Sequence, residues 1–267
     1  MIGDAARRRK LARERERRRL VRLHRFERDA NTRGFRLIGG IDEVGRGPLA
    51  GPVVAACVVV DGPLMLRGLD DSKRVVPGRR SELAVQIRER AVAWALGSAS
   101  VAEIERLNIY WASLLAMERA LAALAVSPEF LLTDAVFVRA FTGEQLPVIK
   151  GDAKCATVAA ASIVAKVHRD TLLVELDRVH PQYGFAEHKG YATERHILAL
   201  REHGPCEHHR RGFWRVRDAA SLFDAQPVAT EPGGGAACAL QSDTVAPGGF
   251  RPEHRTTAEL QRDNVSP

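Results

Sequence analysis

Four carboxylates stand at or just past the ends of three apolar segments, where they could take part in chemistry. They are Asp42 and Glu43 after the first segment, Asp134 after the second and Asp152 after the third. In α/β sheets, functional sites gather at the carboxyl ends of the strands, so we expect these side chains to meet. A single aspartate in such a place is more often a helix cap or a turn residue, but acids after three separate strands favour a shared site.

A glycine-rich loop follows the first acid pair. Gly45 and Gly47 flank Arg46 and allow the backbone to approach a phosphate or a sugar closely, and the arginine can donate a planar fork of hydrogen bonds to phosphate. Neighbouring side chains of a regular strand point to opposite faces, so we expect Asp42 and Glu43 to converge only if the strand bends. Together these features indicate metal-assisted chemistry on a phosphodiester. The alternative is a surface turn with an Asp–Arg ion pair.

Strands and helices that alternate along the chain are expected to position these residues. Apolar runs predict strands over residues 35–43, 52–60, 91–99, 129–134 and 146–149. Proline, capping-box and amphipathic patterns predict helices over residues 77–91, 100–107, 109–124, 155–179 and 193–204. The strand 52–60 is apolar throughout, so both of its faces should be buried. The pattern is typical of an α/β fold.

Positive charge is concentrated at the N-terminus. The 267-residue chain has a net charge of +7, but residues 1–33 hold 13 Arg and Lys against 5 Asp and Glu. Such a basic extension attracts polyanions such as nucleic acid in a salt-dependent way; the alternative is a solvated helix without a specific partner. We expect residues 5–29 to bury little and to form an appendage. Residues 218–267 lack periodicity and are predicted to be a disordered tail.

Nothing in the sequence indicates secretion or a membrane. The first 30 residues lack an apolar core segment, so we expect no secretory signal, and no run approaches the roughly 20 apolar residues of a membrane span. The four cysteines, Cys57, Cys155, Cys206 and Cys238, are scattered and show no CxxC spacing, which argues against a zinc site or a disulfide framework. We therefore expect a cytoplasmic protein, with a monomer as the default oligomeric state.

Six blocks of sequence together resemble the bacterial ribonuclease HII family, the type 2 ribonucleases H. The blocks are GIDEVGRGPLAGPVVAACVVV at 40–60, DDSKR at 70–74, LNIYWASLLAMERAL at 107–121, LLTDA at 131–135, KGDAKCATVAAASIVAKVHRD at 150–170 and YGFAEHKGYAT at 183–193. One departure is Ala135, where the family often has glycine. The resemblance implies a catalytic domain over residues 34–217. Its implied fold is RNase H-like α/β, a mixed five-stranded sheet flanked by helices with a helical C-terminal lobe.

The same resemblance implies an activity and its residues. The implied enzyme hydrolyses the RNA strand of RNA–DNA hybrids and incises 5′ of single ribonucleotides in duplex DNA, leaving a 5′-phosphomonoester. The acids that match the family's catalytic metal ligands, which would hold Mg²⁺ or Mn²⁺ in a two-metal mechanism, are Asp42, Glu43, Asp134 and Asp152. The positions that match the readers of the RNA–DNA junction are Gly45, Arg46, Gly47 and Tyr191. Further candidates for nucleic-acid contacts are Lys73, Lys166, His188 and Lys189.

Two other classes of protein share part of this pattern. Another nuclease or recombinase of RNase H-like architecture would have the acids but would lack the Gly-Arg-Gly and His-Lys-Gly-Tyr elements. A non-catalytic nucleic-acid-binding protein would have no need for four acids, which repel phosphate unless metals intervene. Metal-dependent cleavage separates the binding protein from both nucleases, and dependence on a ribonucleotide separates the two nucleases.

Overall fold

A mixed five-stranded sheet forms the centre of the computed structural model, which describes residues 2–224. The strands are β1 (Ile38–Val44), β2 (Val53–Val60), β3 (Ala93–Ala99), β4 (Phe130–Asp134) and β5 (Glu144–Val148). Their order across the sheet is β3-β2-β1-β4-β5. The first three strands pair antiparallel, whereas β1 pairs parallel with β4 and β4 with β5. The predicted mixed five-stranded sheet is thus confirmed.

The strand that delivers the first acid pair is regular to its end. Residues Ile38–Val44 pair with Val54–Val60 of β2 in one uninterrupted register. The expectation that the strand bends at Asp42 and Glu43 is therefore wrong. Both side chains stand at the end of the sheet, where groups from its two faces can turn towards the same space. The residue directly after the strand, Gly45, has a φ of +98°.

Helices cover both faces of the sheet. They are α1 (Ile2–Leu23), α2 (Arg25–Thr32), α3 (Pro77–Arg90), α4 (Val101–Leu107), α5 (Ile109–Ala122), α6 (Gly151–Lys154), α7 (Ala156–Val179), α8 (Phe185–His188), α9 (Glu194–His203) and α10 (Trp214–Asp224). The elements predicted from sequence end within three residues of the observed bounds. Among the described residues, no helix combines the length and apolar character needed to cross a membrane.

The long helix α7 lies against β1 and β2, and α5 packs on the other side of the sheet. A glycine in β1 makes the first contact possible. A Cβ atom added at Gly40 would lie 2.2 Å from the backbone carbon of Thr157 in α7, closer than any side chain allows. This close approach brings the following residues of α7, including Ser162, alongside the end of β1.

The N-terminal segment is partly built into the fold. Leu20, Leu23 and Ala30 are buried in the core cluster that contains α7. Glu27 accepts hydrogen bonds of 2.8 and 2.9 Å from the N–H and hydroxyl of Thr157, in the first turn of α7. The expectation that residues 5–29 bury little is therefore wrong for their second half. The buried apolar residues recur at helical spacing, but the arginines around them dominate the composition, so the sequence suggested an exposed segment.

The C-terminal lobe is helical, as the resemblance implied. Its apolar cluster includes Leu173 of α7, Phe185 of α8, Leu200 of α9 and Val216 of α10. Because α10 continues to Asp224, the folded region extends beyond the predicted boundary at residue 217. The rest of the predicted tail, residues 225–267, lies outside the described residues.

Candidate active site

The four acids come from β1, β4 and α6. Asp42 and Glu43 lie near the end of β1, Asp134 is the last residue of β4, and Asp152 is the second residue of α6. Since β1 and β4 are parallel neighbours, their carboxyl ends lie at one edge of the sheet. A hydrogen bond of 2.7 Å from the Gly151 N–H to Asp134 Oδ1 ties the start of α6 to the same edge.

The carboxylates are close enough to perturb one another. Asp42 is 5% exposed, and burial raises the pKa of its carboxyl well above the usual range. The negative charges of Glu43, Asp134 and Asp152 raise that pKa further. Burial also raises the pKa of Glu43 and of Asp152, and Asp134 adds to both shifts. Raised pKa values in neighbouring carboxyls, as for Asp42, Glu43 and Asp152, are typical of functional sites.

Neighbouring polar groups hold the acids in place. Asp42 Oδ1 accepts a 2.8 Å hydrogen bond from the Glu43 N–H. A hydrogen bond from Ser162 of α7 opposes the rise in the Asp42 pKa, and the Ser162 hydroxyl is in turn hydrogen-bonded at 2.9 Å to that of Ser72. Lys73 Nζ lies 3.6 Å from an oxygen of Asp152. Residues 72 and 73 therefore support two of the acids: Ser72 supports Asp42 through Ser162, and Lys73 lies beside Asp152.

The donor set fits divalent cations that prefer oxygen. Glu43 Oε1 lies 3.2 Å from the Arg46 guanidinium, but its Oε2 is buried and has no hydrogen-bond partner. A buried carboxylate oxygen without a partner is costly, and an added cation would satisfy it. Within residues 2–224, the one group of three potential ligands whose atoms all lie within 4.8 Å of one another is His180, Glu207 and His208 in the C-terminal lobe. Among the described residues, no three of the four acids form so compact a group.

Two fully buried arginines hold the glycine-rich loop. Arg210 donates five hydrogen bonds to backbone carbonyls, at 2.6 Å to Gly45, 3.1 Å to Arg46, 2.8 Å to Pro48, and 3.0 and 2.8 Å to Gly51. Burial lowers its pKa to about 9, so it remains a cation at neutral pH. Sequence reasoning missed this role because Arg210 lies in a basic, irregular segment, where arginines are expected to be exposed.

Arg169 of α7 closes the same loop from the other side. It donates hydrogen bonds of 2.9 Å to the Ala50 carbonyl, 3.0 Å to Pro52 and 3.1 Å to Lys189. Its guanidinium also explains why residue 45 is glycine. A Cβ atom there would lie 2.3 Å from Arg169 Nε, in a backbone conformation with φ of +98°.

Tyr191 stands beside the glycine-rich loop. The residue is 42% exposed, and a Cβ atom added at Gly47 would lie 4.0 Å from its ring. The Gly190 carbonyl accepts a 2.8 Å hydrogen bond from the Leu49 N–H, which joins the two segments. Lys166 Nζ lies 5.8 Å from the centre of the Tyr191 ring. The structure therefore brings the Gly-Arg-Gly and His-Lys-Gly-Tyr elements together next to the acids.

The other predicted nucleic-acid contacts differ in their surroundings. Lys73 is exposed beside the acids, Lys166 is paired with Asp170 at 2.6 Å, and Lys189 donates a hydrogen bond to the Ala186 carbonyl. His188 does not match the expectation, because it is buried.

Both ring nitrogens of His188 are used within the protein. Nε2 is 2.8 Å from the Tyr183 carbonyl, and Nδ1 accepts a 3.2 Å hydrogen bond from the Gly190 N–H. His188 therefore supports the backbone next to Tyr191 instead of facing a ligand.

A chain of hydrogen bonds through two buried histidines also ends at Tyr191. The Cys206 N–H donates to His209 Nδ1 at 3.1 Å, His209 and His196 meet through their Nε2 atoms at 3.0 Å, and His196 Nδ1 lies 2.9 Å from the Tyr191 carbonyl. Burial lowers the pKa of His209 to about 3 and that of His196 to about 4. Both rings are therefore neutral at pH 7, and each can donate to the next acceptor. This chain fixes the backbone that carries the tyrosine.

The fold is RNase H-like, with a mixed sheet that has β1 at its centre. Its acid cluster is of the nuclease type, with acids at the ends of β1 and β4 and a further acid on a following helix. The family model described as Ribonuclease HII matches residues 39–217. The chain therefore belongs to the ribonuclease HII family, whose activity is endonucleolytic cleavage of RNA in RNA–DNA hybrids.

Named relatives and solved structures agree with this assignment. Ribonuclease HII of Geobacillus thermodenitrificans is 52% identical over 206 residues, which cover 77% of this chain and 79% of the relative. That of Thiobacillus denitrificans is 50% identical over 187 residues, covering 69% and 92%.

Among solved structures, ribonuclease H2 of Pyrococcus horikoshii OT3 matches with a TM-score of 0.62 and 25% identity, over 71% of this chain and all of that one. RNase HII of Archaeoglobus fulgidus, solved in complex with PCNA, matches with a TM-score of 0.58 and 27% identity, over 66% of this chain and 95% of that one. Bst-RNase HIII in complex with Mn²⁺ matches with a TM-score of 0.56 and 21% identity, over 74% of this chain and 73% of that one. This match supports the fold alone.

Proposed function

We propose that this protein incises duplex DNA on the 5′ side of an embedded ribonucleotide, and hydrolyses the RNA strand of RNA–DNA hybrids, by two-metal-ion chemistry that leaves a 5′-phosphomonoester. One observation carries the proposal. The four-acid cluster lies directly beside the surface formed by Gly45, Arg46, Gly47 and Tyr191. A phosphodiester next to a sugar that is read at this surface would therefore lie over the acids.

The acid cluster would hold the cations, with Asp42 and Asp134 making most of the contacts and Glu43 and Asp152 completing the two sites. Mg²⁺ or Mn²⁺, when bound, would supply an activated water and neutralise charge on the phosphate and the leaving oxygen. Without cations, four carboxylates repel a phosphate. Lys73, beside Asp152, offsets part of this charge. All four acids belong to one chain, so the proposed site needs no residue from a second copy.

Discrimination must come from the sugar, because only the 2′-hydroxyl distinguishes RNA from DNA at a given position. The Tyr191 ring offers a partly exposed apolar face for a sugar, and Gly47 leaves the adjacent space open. Arg46 has a side chain that is 45% exposed and can reach phosphate. The candidates for further backbone contacts are Lys73, Lys166 and Lys189. The three described cysteines are free thiols, which supports action in a reducing cytoplasm.

The test uses a DNA duplex with one ribonucleotide and an all-DNA duplex of the same sequence, each with Mg²⁺, Mn²⁺ or EDTA. We expect metal-dependent incision 5′ of the ribonucleotide and none in the all-DNA duplex. Asp134→Asn should remove turnover while the protein still melts cooperatively. Cutting of both duplexes would identify a general nuclease instead. A fully active Asp134→Asn would overturn the assignment of the acids.

A further inference from the structure

The N-terminal helices bring arginines to the edge of the candidate active site. Helix α1 packs against α6, which contains Asp152. Arg19 of α1 donates a 2.8 Å hydrogen bond to the Leu69 carbonyl, in the loop that leads to Lys73. Helix α1 therefore contacts both the helix that carries Asp152 and the loop that carries Lys73.

A basic cleft lies at this junction. Its volume is about 420 Å³, and the cations that line it are Arg19, Arg22, Arg25, Arg28, Arg74 and Lys154. Arg74 directly follows Lys73 in the sequence, and Lys154 lies two residues after Asp152. The basic cleft and the acid cluster therefore share two short segments of the chain, residues 70–74 and 151–154.

Much of the charge in the basic cleft is not neutralised by the protein. Asp70 is the only carboxylate among its described lining residues, and it lies 3.5 Å from Arg19 and 4.0 Å from Arg74. Glu16, outside the lining, pairs with Arg19 at 2.9 Å. Over residues 2–224, Arg22, Arg28 and Lys154 form no ion pair with a carboxylate, and all three are exposed. Cations held together without counter-charges produce a positive potential that attracts a polyanion.

We infer that the basic cleft binds the phosphate backbone of duplex nucleic acid on the flank of the cleavage position. This inference rests on the proposed function, since a duplex that lies across the acids continues into the neighbouring cleft. An anionic membrane would also be attracted, but the chain segments that the basic cleft shares with the acid cluster favour the duplex.

The test compares two triple variants with the same change in charge. The first is Arg22→Gln, Arg28→Gln and Lys154→Gln in the basic cleft. The control is Arg9→Gln, Arg13→Gln and Arg17→Gln, which are exposed residues that line a different surface of α1. Each is titrated against a fluorescent all-DNA duplex at about 50 to 200 mM KCl, and thermal melting confirms that each is folded.

We expect the first variant to lose three phosphate contacts. The slope of log K against log salt should become shallower by roughly 2 to 3, because each contact contributes about 0.9. Affinity at about 0.1 M salt should fall at least about tenfold, while the control changes by less than half as much in either measure. If the first variant melts early, the single variants Arg22→Gln and Lys154→Gln replace it, each with an expected slope change of about 0.9.

Equal slopes and affinities for the two triple variants would overturn the inference. So would a loss of binding to anionic vesicles in the first variant with unchanged duplex binding, because that result assigns the cleft to a membrane. Cleavage by the wild-type protein is measured in parallel. Normal cleavage with equal triple variants overturns this inference alone, whereas absent cleavage with a cleft-dependent salt slope overturns the proposed function alone.

Discussion

The clearest structural prediction concerns Arg210, whose side chain is completely buried. Its guanidinium makes five hydrogen bonds to four carbonyls of the glycine-rich loop. In Arg210→Lys the ammonium has three donors, so at least two of the five hydrogen bonds are lost. Hydrogen bonds that involve a charged group contribute about 1.5–3 kcal/mol each. We therefore expect a loss of about 3–6 kcal/mol in the free energy of unfolding.

The measurement is thermal unfolding of Arg210→Lys beside Arg211→Lys. Arg211 is the adjacent residue and is exposed, so the same substitution there should change stability by no more than about 0.5 kcal/mol. For a fold of this size, 1 kcal/mol corresponds to about 2–4 °C in Tm. Arg210→Lys should accordingly melt roughly 6–24 °C below the wild-type protein.

The cleavage assay provides a second readout, because the loop carries Gly45 and Gly47. At a temperature where Arg210→Lys is still folded, kcat/KM for the ribonucleotide-containing duplex should fall, while Arg211→Lys keeps the wild-type value. If the two lysine variants melt together and cleave equally well, the buried guanidinium does not hold the loop and the reasoning fails.

Three further predictions concern Tyr191, Asp42 and Glu27. Tyr191→Ala should lower kcat/KM at a single ribonucleotide roughly 5- to 150-fold, since stacking on an aromatic ring is worth about 1–3 kcal/mol. The control is Tyr110→Ala, because Tyr110 is 47% exposed and lies in α5. Equal kcat/KM values for the two variants would contradict the role of Tyr191. Because the Asp42 pKa is raised in the folded state, its stabilising effect is complete below about pH 4 and is lost as pH rises through the folded pKa. Asp42→Asn in EDTA should therefore melt above the wild-type protein at pH 7 but not at pH 4; a lower Tm at pH 7 would refute this. Glu27→Ala should cost about 1–3 kcal/mol by leaving the Thr157 donors unpaired. Glu27→Gln should keep most of the stability because its amide oxygen can still accept, so similar Tm values for the two variants would show that the hydrogen bonds to Thr157 do not stabilise the fold.

The strands and the acid positions could be predicted from sequence because their signals are local. A continuous apolar run such as residues 53–60 can bury both faces only inside a sheet, and carboxylates at strand ends identify the edge where a site forms. The contact of Glu27 with Thr157 carries no such signal, since it joins residues 130 positions apart in the sequence. The burial of Leu20 and Leu23 was likewise hidden among arginines.

Buried arginines are the second kind of feature that sequence reasoning missed. Arg169 and Arg210 are surrounded in the sequence by polar and charged residues, and their burial depends on carbonyls at residues 45–52 that turn towards them. Only the folded loop shows those acceptors. The resemblance singles out Tyr191 as a candidate, but it gives no indication of the His209–His196 hydrogen-bond chain that fixes the backbone of Tyr191.

The residues proposed for cleavage and for recognition are linked through one short piece of chain, residues 42–51. Asp42 and Glu43 stand at its start, and Gly45 and Gly47 form the proposed sugar-reading surface a few residues later. Both buried arginines attach to carbonyls within or next to this piece, so the distance from the acids to the reading surface is set by backbone packing and not by mobile side chains. It follows that loosening the loop should lower cleavage at a single ribonucleotide, where register matters, more than cleavage of a long hybrid, where any phosphodiester can serve. Comparing Arg210→Lys on the two substrates tests this directly, and an equal loss on both would show that the loop supports the acids alone.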